Sequence, residues 1–263
     1  MIKKICFFIS LFVSSIGFAS EPSEPKCLDK NVTFWYKMFT VYTKKDLVVF
    51  NKKTMEIYAI YEKPDKKVKK FKKKLVRKYS KKVPKSQKQY IAVRSGAQGM
   101  FKKGYLRMPD YRPNIIQSLE KNEMPAQFLS LIPFIESAYW NYAISNAGAV
   151  GMWQIMPNTA KEFGVKKIKK LQNTKIATKT AIKILKHNYE LLGDWTLAAN
   201  AYHSGVGRIK KAAELAGSKD ICKIFEYLEK NNVQIKGYKF YSRNYIAQIF
   251  ALDKALKELA DKD

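Results

Sequence analysis

Histidine is nearly absent: His187 and His203 are the two in 263 residues. No Cys or Asp/Glu cluster accompanies either, so a protein-held metal site has no ligand set to draw on. No metal and no cofactor are expected. Acid is scarce as well, with 22 Asp and Glu against 50 Lys and Arg, for a net charge of +28. A chain so poor in negative charge is expected to meet an anionic partner. A long apolar run is also missing. The uncharged stretch from Ile5 to Phe18 is 14 residues, short of the roughly 20 that span a bilayer as a helix. It follows Lys3 and Lys4 and precedes the small residues Gly17, Ala19 and Ser20. That order is the pattern of a secretory leader, expected over 1–19 with cleavage near Ala19. The anionic partner is then sought outside the cytoplasm, where nucleic acid is scarce and cell-wall polymer or anionic lipid is at hand. Of three cysteines, Cys6 falls in the leader, too early to be a lipid-carrying residue, while Cys27 follows the charged and Pro-rich EPSEPK. A lipoprotein is therefore not expected. Cys27 and Cys222 remain in a compartment that permits disulfides, and the sequence leaves open whether they pair.

The mature chain divides by pattern. Residues 31–44 place Trp35, Met38, Phe39 and Tyr42 at helical spacing. Residues 47–50 and 55–61, around the turn-like NKKT, predict a β-hairpin. From Lys63 to Lys88 there are 14 basic residues and one acid, Asp65. Val68, Phe71, Leu75 and Tyr79 run through that segment as a narrow apolar stripe, which predicts a Lys-coated helix capped by Asp65 and ended by Pro84. Such a helix serves either as a surface for wall polymer or anionic membrane, or as a solvated face over a small core. From Tyr111 onward the pattern is helical: Pro113 suits a helix first turn, and Gly193, Gly205 and Gly217 mark helix ends. There is no internal repeat. The expected fold is mainly α, with a basic N-terminal α+β region over 20–105 and a helical domain over 106–263.

Between Glu136 and Glu162 the chain has no Asp or Glu. Glu136 sits at the end of a helical pattern whose apolar face holds Phe128 and Ile132, with Pro133 expected to bend the last turn. Apolar surroundings favour the protonated form of a carboxyl, the form a general acid needs. Behind Glu136 come Gly148 and Gly151, which permit close backbone approach, and Gln154, which both donates and accepts. Tyr139, Trp140, Tyr142 and Trp153 offer flat faces of the kind sugars stack on, although any one of them taken singly reads as core packing.

The residues Glu136-Ser137, the run GAVGMWQIMP at 148–157, AYHSGVGR at 201–208 and YSRNYIA at 241–247 resemble the signature of the soluble lytic transglycosylase family. Its catalytic domain is similar to goose-type lysozyme. The N-terminal FWYKMFTVYT and RSGAQGMFKKGY are similar to the membrane-bound lytic murein transglycosylase D branch. The resemblance implies a lysozyme-like helical domain that cuts the β-1,4 bond from N-acetylmuramic acid to N-acetylglucosamine in peptidoglycan strands. It implies no water in the reaction and a 1,6-anhydro product. Most glycosidases use two carboxylates. Here Glu136 is expected to act alone, as acid and then as base, with Asp194 as a distant candidate for a second acid. The resemblance further implies substrate contacts at Ser145, Gln154, Met156, Tyr202 and Tyr245, the two tyrosines beside the catalytic carboxyl. His203 stands where the family's motif has Asn. The D branch often carries wall-binding repeats after this domain; with none before Asp263, the Lys63–Lys88 segment is expected to anchor the protein. The implied location is periplasmic, with peripheral membrane association as an option. The alternatives are a lysozyme-type hydrolase using the same Glu, and a non-catalytic wall-binding protein.

Overall fold

Aromatic residues spaced three and four apart give the first helix, α1 (Asp29–Thr40), a face of Phe34, Trp35, Met38 and Phe39, all buried. The computed structural model describes residues 19–233, 235 and 242–261. The expected leader therefore lies, apart from Ala19, outside the described residues.

After α1, strands β1 (Asp46–Asn51) and β2 (Ile57–Glu62) form the expected hairpin, with Leu47 opposite Tyr61 and a register shift between Val49 and Phe50. The turn is closed by Asn51, whose side-chain oxygen accepts from the amides of Lys53 at 2.8 Å and Thr54 at 3.3 Å. The Lys-rich segment forms α2 (Val68–Ser80) and stops before Pro84, as expected. Its start differs from the expectation. The residue before it is Lys67 in a left-handed conformation, and no side chain, Asp65 included, caps it. A third strand, β3 (Ile91–Ser95), was not foreseen. It pairs antiparallel with β1 and makes β1 the centre of a three-stranded sheet.

Both faces of β1 are covered. Leu47 and Val49 meet Leu75 and Tyr79 of α2, with Phe71 and Val76 packed beside them, in a small outer core. Val48 and Phe50 point the other way, into the main core. The apolar stripe of α2 is thus consumed by the sheet, and its lysines are left outward.

Helix α3 (Gln98–Glu120) corrects the expectation for Pro113. It begins 15 residues earlier than that proline and runs through both Pro109 and Pro113. The two are four residues apart and exposed, so the carbonyls they leave without partners lie on the wet side of the helix. Helix α3 also runs across residue 105, where the sequence suggests a domain boundary. Then follow α4 (Ala126–Leu129), α5 (Ile132–Ser137), α6 (Pro157–Glu162), α7 (Thr174–Leu192), α8 (Trp195–Ser204), α9 (Val206–Ala216), α10 (Ile221–Lys230) and α11 (Ser242–Ala260). Asn173, Asp194 and Asp220 cap α7, α8 and α10 through their side-chain oxygens. Gly193 and Gly217 end α7 and α9 in the left-handed conformation.

The main core is continuous from Leu28 to Ala255. Helix α1 packs along α11, where the Asn244 side chain accepts from Trp35 Nε1 at 3.0 Å and Asn31 Nδ2 at 3.3 Å. Cys27 and Cys222 are joined, with Cα atoms 5.7 Å apart, which settles a pairing the sequence leaves open. A second tie runs from Lys53 to Glu229 at 2.5 Å and on to Arg243 at 3.3 Å. Burial works against the charge of Glu229, but the two cations outweigh it and hold its pKa below the usual carboxylate range.

Candidate active site

The segment from Pro125 to Ser137 is two short helices rather than one. The chain breaks at Ser130–Leu131, and Pro133 falls in the first turn of α5, where its missing N–H is harmless. The expected bend at the last turn is therefore not what releases Glu136. That role falls to Ala138 and Tyr139, two consecutive residues at positive φ (53° and 56°). They turn the chain sharply one residue after Ser137. The turn is fixed from below: the Tyr139 ring is fully buried and its hydroxyl donates to the Ser130 carbonyl at 2.7 Å. The Ser137 hydroxyl donates to the Met152 carbonyl at 2.9 Å and accepts from the Trp140 amide at 3.0 Å. Glu136 is left at a helix end with its side chain 18% exposed.

The loop behind it is a tight double turn. Val150 forms isolated bridges with Ile144 and Ile155. Gly151, at φ +80°, presses so close to the Leu171 carbonyl that a Cβ there would lie 2.2 Å from that oxygen. Gly148 also has positive φ but stands in open space, so close approach explains only one of the two glycines. The Gln154 amide donates to the Gly151 carbonyl at 2.8 Å and more weakly to Ala143 at 3.4 Å. The Ser145 hydroxyl accepts the Ala149 amide at 3.0 Å. These two side chains shape their own loop. Met156 is 41% exposed at the start of α6.

Three groups from distant segments converge on Glu136. Tyr202 and His203 come from α8, and Tyr245 comes from α11. His203 Nδ1 lies 3.9 Å from Glu136 Oε1, and its ring stacks on Tyr245 at 4.4 Å and 13°. Both phenols have pKa values pushed well above normal, by burial first and then by the Glu136 charge. They are held as neutral hydroxyls. Their partners differ. Tyr202 donates to the Trp153 carbonyl at 2.7 Å, so its proton braces the loop behind Glu136. The Tyr245 hydroxyl is buried with no partner of ordinary hydrogen-bond geometry among the described residues, close enough to the Glu136 carboxylate to feel its charge.

Of the four expected sugar-stacking faces, two are core. Trp153 and Tyr139 are fully buried, and the Trp153 indole donates to Thr178 Oγ1 at 3.1 Å. Trp140 and Tyr142 are exposed at 49% and 61%, next to Ile144 at 66%. Beside Trp140 lies Arg107 of α3, its guanidinium 6.0 Å from the ring centre and donating to the Ala138 carbonyl at 3.3 Å. Nothing in the sequence near Arg107 signals this role. Asp194 is occupied as the cap of α8, accepting from Leu197 at 2.7 Å. Among the described residues no group of three or more His, Cys, Asp or Glu gathers in the manner of a metal site. The arrangement can give a proton to a bound oxygen and take one back, beside exposed aromatic faces.

Residues 113–225 match the family described as the transglycosylase SLT domain, which takes in Glu136, its loop and α8 but not α1, α2 or α11. The chain is 29% identical over 163 residues to the membrane-bound lytic murein transglycosylase D of Escherichia coli (strain K12). That alignment covers 58% of this chain and 32% of the relative, and the same protein of the O6:H1 strain gives the same figures. The membrane-bound lytic murein transglycosylase F of Desulfosudis oleivorans is 25% identical over 116 residues, 43% of this chain and 26% of the relative. The chain thus spans a third or less of the length of these relatives.

Proposed function

We propose, for a chain whose residues 113–225 match the transglycosylase SLT domain, that it is a lytic transglycosylase of peptidoglycan. Glu136 donates its proton to the glycosidic oxygen between N-acetylmuramic acid and N-acetylglucosamine as that bond breaks. The same carboxylate then takes the proton of the muramic 6-hydroxyl as its oxygen bonds to the anomeric carbon. Atoms balance without water, and the new end is a 1,6-anhydro sugar. The observation that carries this reading is the company Glu136 keeps: two buried, neutral phenols register its charge, and an imidazole nitrogen lies 3.9 Å from its carboxylate. Most two-carboxylate glycosidases place the second acid within ~5–10 Å, and the candidate the sequence offered, Asp194, is here engaged as the cap of α8. Tyr245 is the phenol that meets Glu136 or the bound sugar, and Tyr202 holds the loop. Ser145, Gln154 and Met156 are assigned to the wall of the cleft, with Trp140 and Tyr142 as stacking faces.

The test is Glu136→Gln in the full chain, digesting purified sacculi. Release of anhydro-muropeptides is expected to fall by about 10³-fold or more, as for removal of a general acid in a site with no substitute. Products one water heavier, with a reducing muramic end, mean a lysozyme-type hydrolase. Sacculus binding with no turnover by the unaltered protein means a wall-binding protein.

A periplasmic location belongs to the same proposal. The leader-like first residues suggest it, and the Cys27–Cys222 bond suits an oxidising compartment. No helix among the described residues is long and apolar enough to cross a membrane. Assignment of 106–263 as the catalytic domain and 20–105 as a basic accessory region is likewise proposed.

A further inference from the structure

Helix α2 lies over the sheet with Leu75 and Tyr79 inward, so its remaining surface is cationic. Grooves run along both of its sides. One, of about 770 Å³, has Val68, Val76 and Val93 at its base and Lys69, Lys72 and Arg77 around it. The other, of about 570 Å³, has Pro64 and Phe71 at its base and Lys66, Lys70 and Lys74 around it. Among the described residues, no cation from Lys63 to Lys88 pairs with a carboxylate. Lys72 is half-buried in the first groove. Burial, then the charges of Lys63 and Arg94, push its pKa down. Positive charge is therefore concentrated here without internal compensation.

The shape selects among anionic partners. A flat bilayer surface meets the exposed cations on the ridge of α2 first, with the half-buried Lys72 set back in the shallow groove beside it. The apolar stripe that would insert into a bilayer is already used by the sheet. A narrow chain with spaced negative charges can enter both grooves. Peptidoglycan is such a ligand, because its stem peptides carry free carboxylates. We infer that α2 and its two grooves are a docking surface for the carboxylate-bearing stem peptides of peptidoglycan, separate from the cleft at Glu136. This inference rests on the proposed substrate, and it assigns the basic region a holding function on the same polymer.

The test uses the full-length Glu136→Gln protein, pelleted with purified sacculi at low and moderate salt. A second sample of sacculi has its carboxyls converted to neutral amides, and a third is glycan freed of stems by an amidase. Binding is expected to weaken about tenfold or more, 1.4 kcal/mol per decade, on amidated and stem-free material. The quadruple change Lys69→Gln, Lys72→Gln, Lys73→Gln, Arg77→Gln is expected to give the same loss on intact sacculi, and added salt is expected to narrow the difference. Unchanged binding to amidated sacculi overturns the inference. So does pelleting with anionic phospholipid vesicles that matches pelleting with sacculi and is lost in the quadruple variant. With Glu136 intact, that variant is expected to release anhydro ends at the unaltered rate from short soluble glycan freed of its stems, which gives the α2 surface nothing to hold. Failure of docking with that rate preserved strikes this inference alone, whereas absence of anhydro ends from the unaltered protein strikes the proposed function. If the quadruple variant does not fold, the amidated sacculi still decide.

Discussion

Replacing Gly151 by Ala tests how the loop behind Glu136 is built. At φ +80° a side chain is strained wherever it points, by about 1–2 kcal/mol for the left-handed conformation. At this position the new methyl also meets the Leu171 carbonyl oxygen at 2.2 Å. That neighbour is backbone, held in the 3-10 turn Ile168–Gln172 by a fully buried Leu171 side chain. Something must move, and overpacking of this kind costs about another 1–3 kcal/mol. The sum is about 2–5 kcal/mol. Gly148→Ala is the matched control: φ is +87°, yet nothing lies within 4 Å of the added carbon. Its cost should stay at about 1–2 kcal/mol. Urea unfolding of the two variants isolates the Leu171 contact as their difference. A shift of Gly151 also disturbs its amide bond to the Ala143 carbonyl (2.9 Å) and its carbonyl's bond from Gln154. Digestion of sacculi is therefore expected to slow more in Gly151→Ala than in Gly148→Ala. Equal stabilities for the two variants, within about 0.5 kcal/mol, would refute the argument from close approach.

The Cys27–Cys222 bond closes a loop of 195 residues, for which the chain-entropy relation gives about 5 kcal/mol and measured bridges usually about 2–4. The double change to Ala should lower urea stability within that range, and reductant should do the same to the unaltered protein; no change in either would mean the bond forms without constraining the unfolded chain. His203→Asn removes a ring stacked on Tyr245 and 3.9 Å from Glu136. Asn cannot reproduce the ring stack, worth about 0.5–1.5 kcal/mol, so urea stability should fall by that amount and anhydro release should slow as Tyr245 loses its support beside Glu136. An unaltered rate of anhydro release would confine His203 to packing.

Some of this protein follows from local rules. Asn173, Asp194 and Asp220 begin helices and Gly193 and Gly217 end them, because caps depend on residues within one turn. The stripe Phe71, Leu75, Tyr79 fixed which face of α2 turns inward. Pro113 misled because the first-turn rule is local, while α3 is set by a longer face holding Phe101, Ile115 and Leu119, with its prolines toward solvent. Strand β3 gave too little signal, since five residues become a strand here only by pairing with β1, some 40 positions earlier in the chain.

The sequence by itself determined the mainly helical class, the isolation of Glu136 among acids from residue 136 to 162, the leader-like first residues and the charge of the Lys63–Lys88 segment. Each is a matter of composition or of spacing along one element. Only the tertiary structure decided that Tyr139 and Trp153 are core while Trp140 and Tyr142 face out, because the four are the same kind of residue within one 15-residue stretch. It alone decided that Tyr202 braces the Trp153 carbonyl while Tyr245 and His203 face Glu136. A hydroxyl's partner depends on which helices cross above it, and α5, α8 and α11 meet only after some 110 residues of intervening chain have folded back.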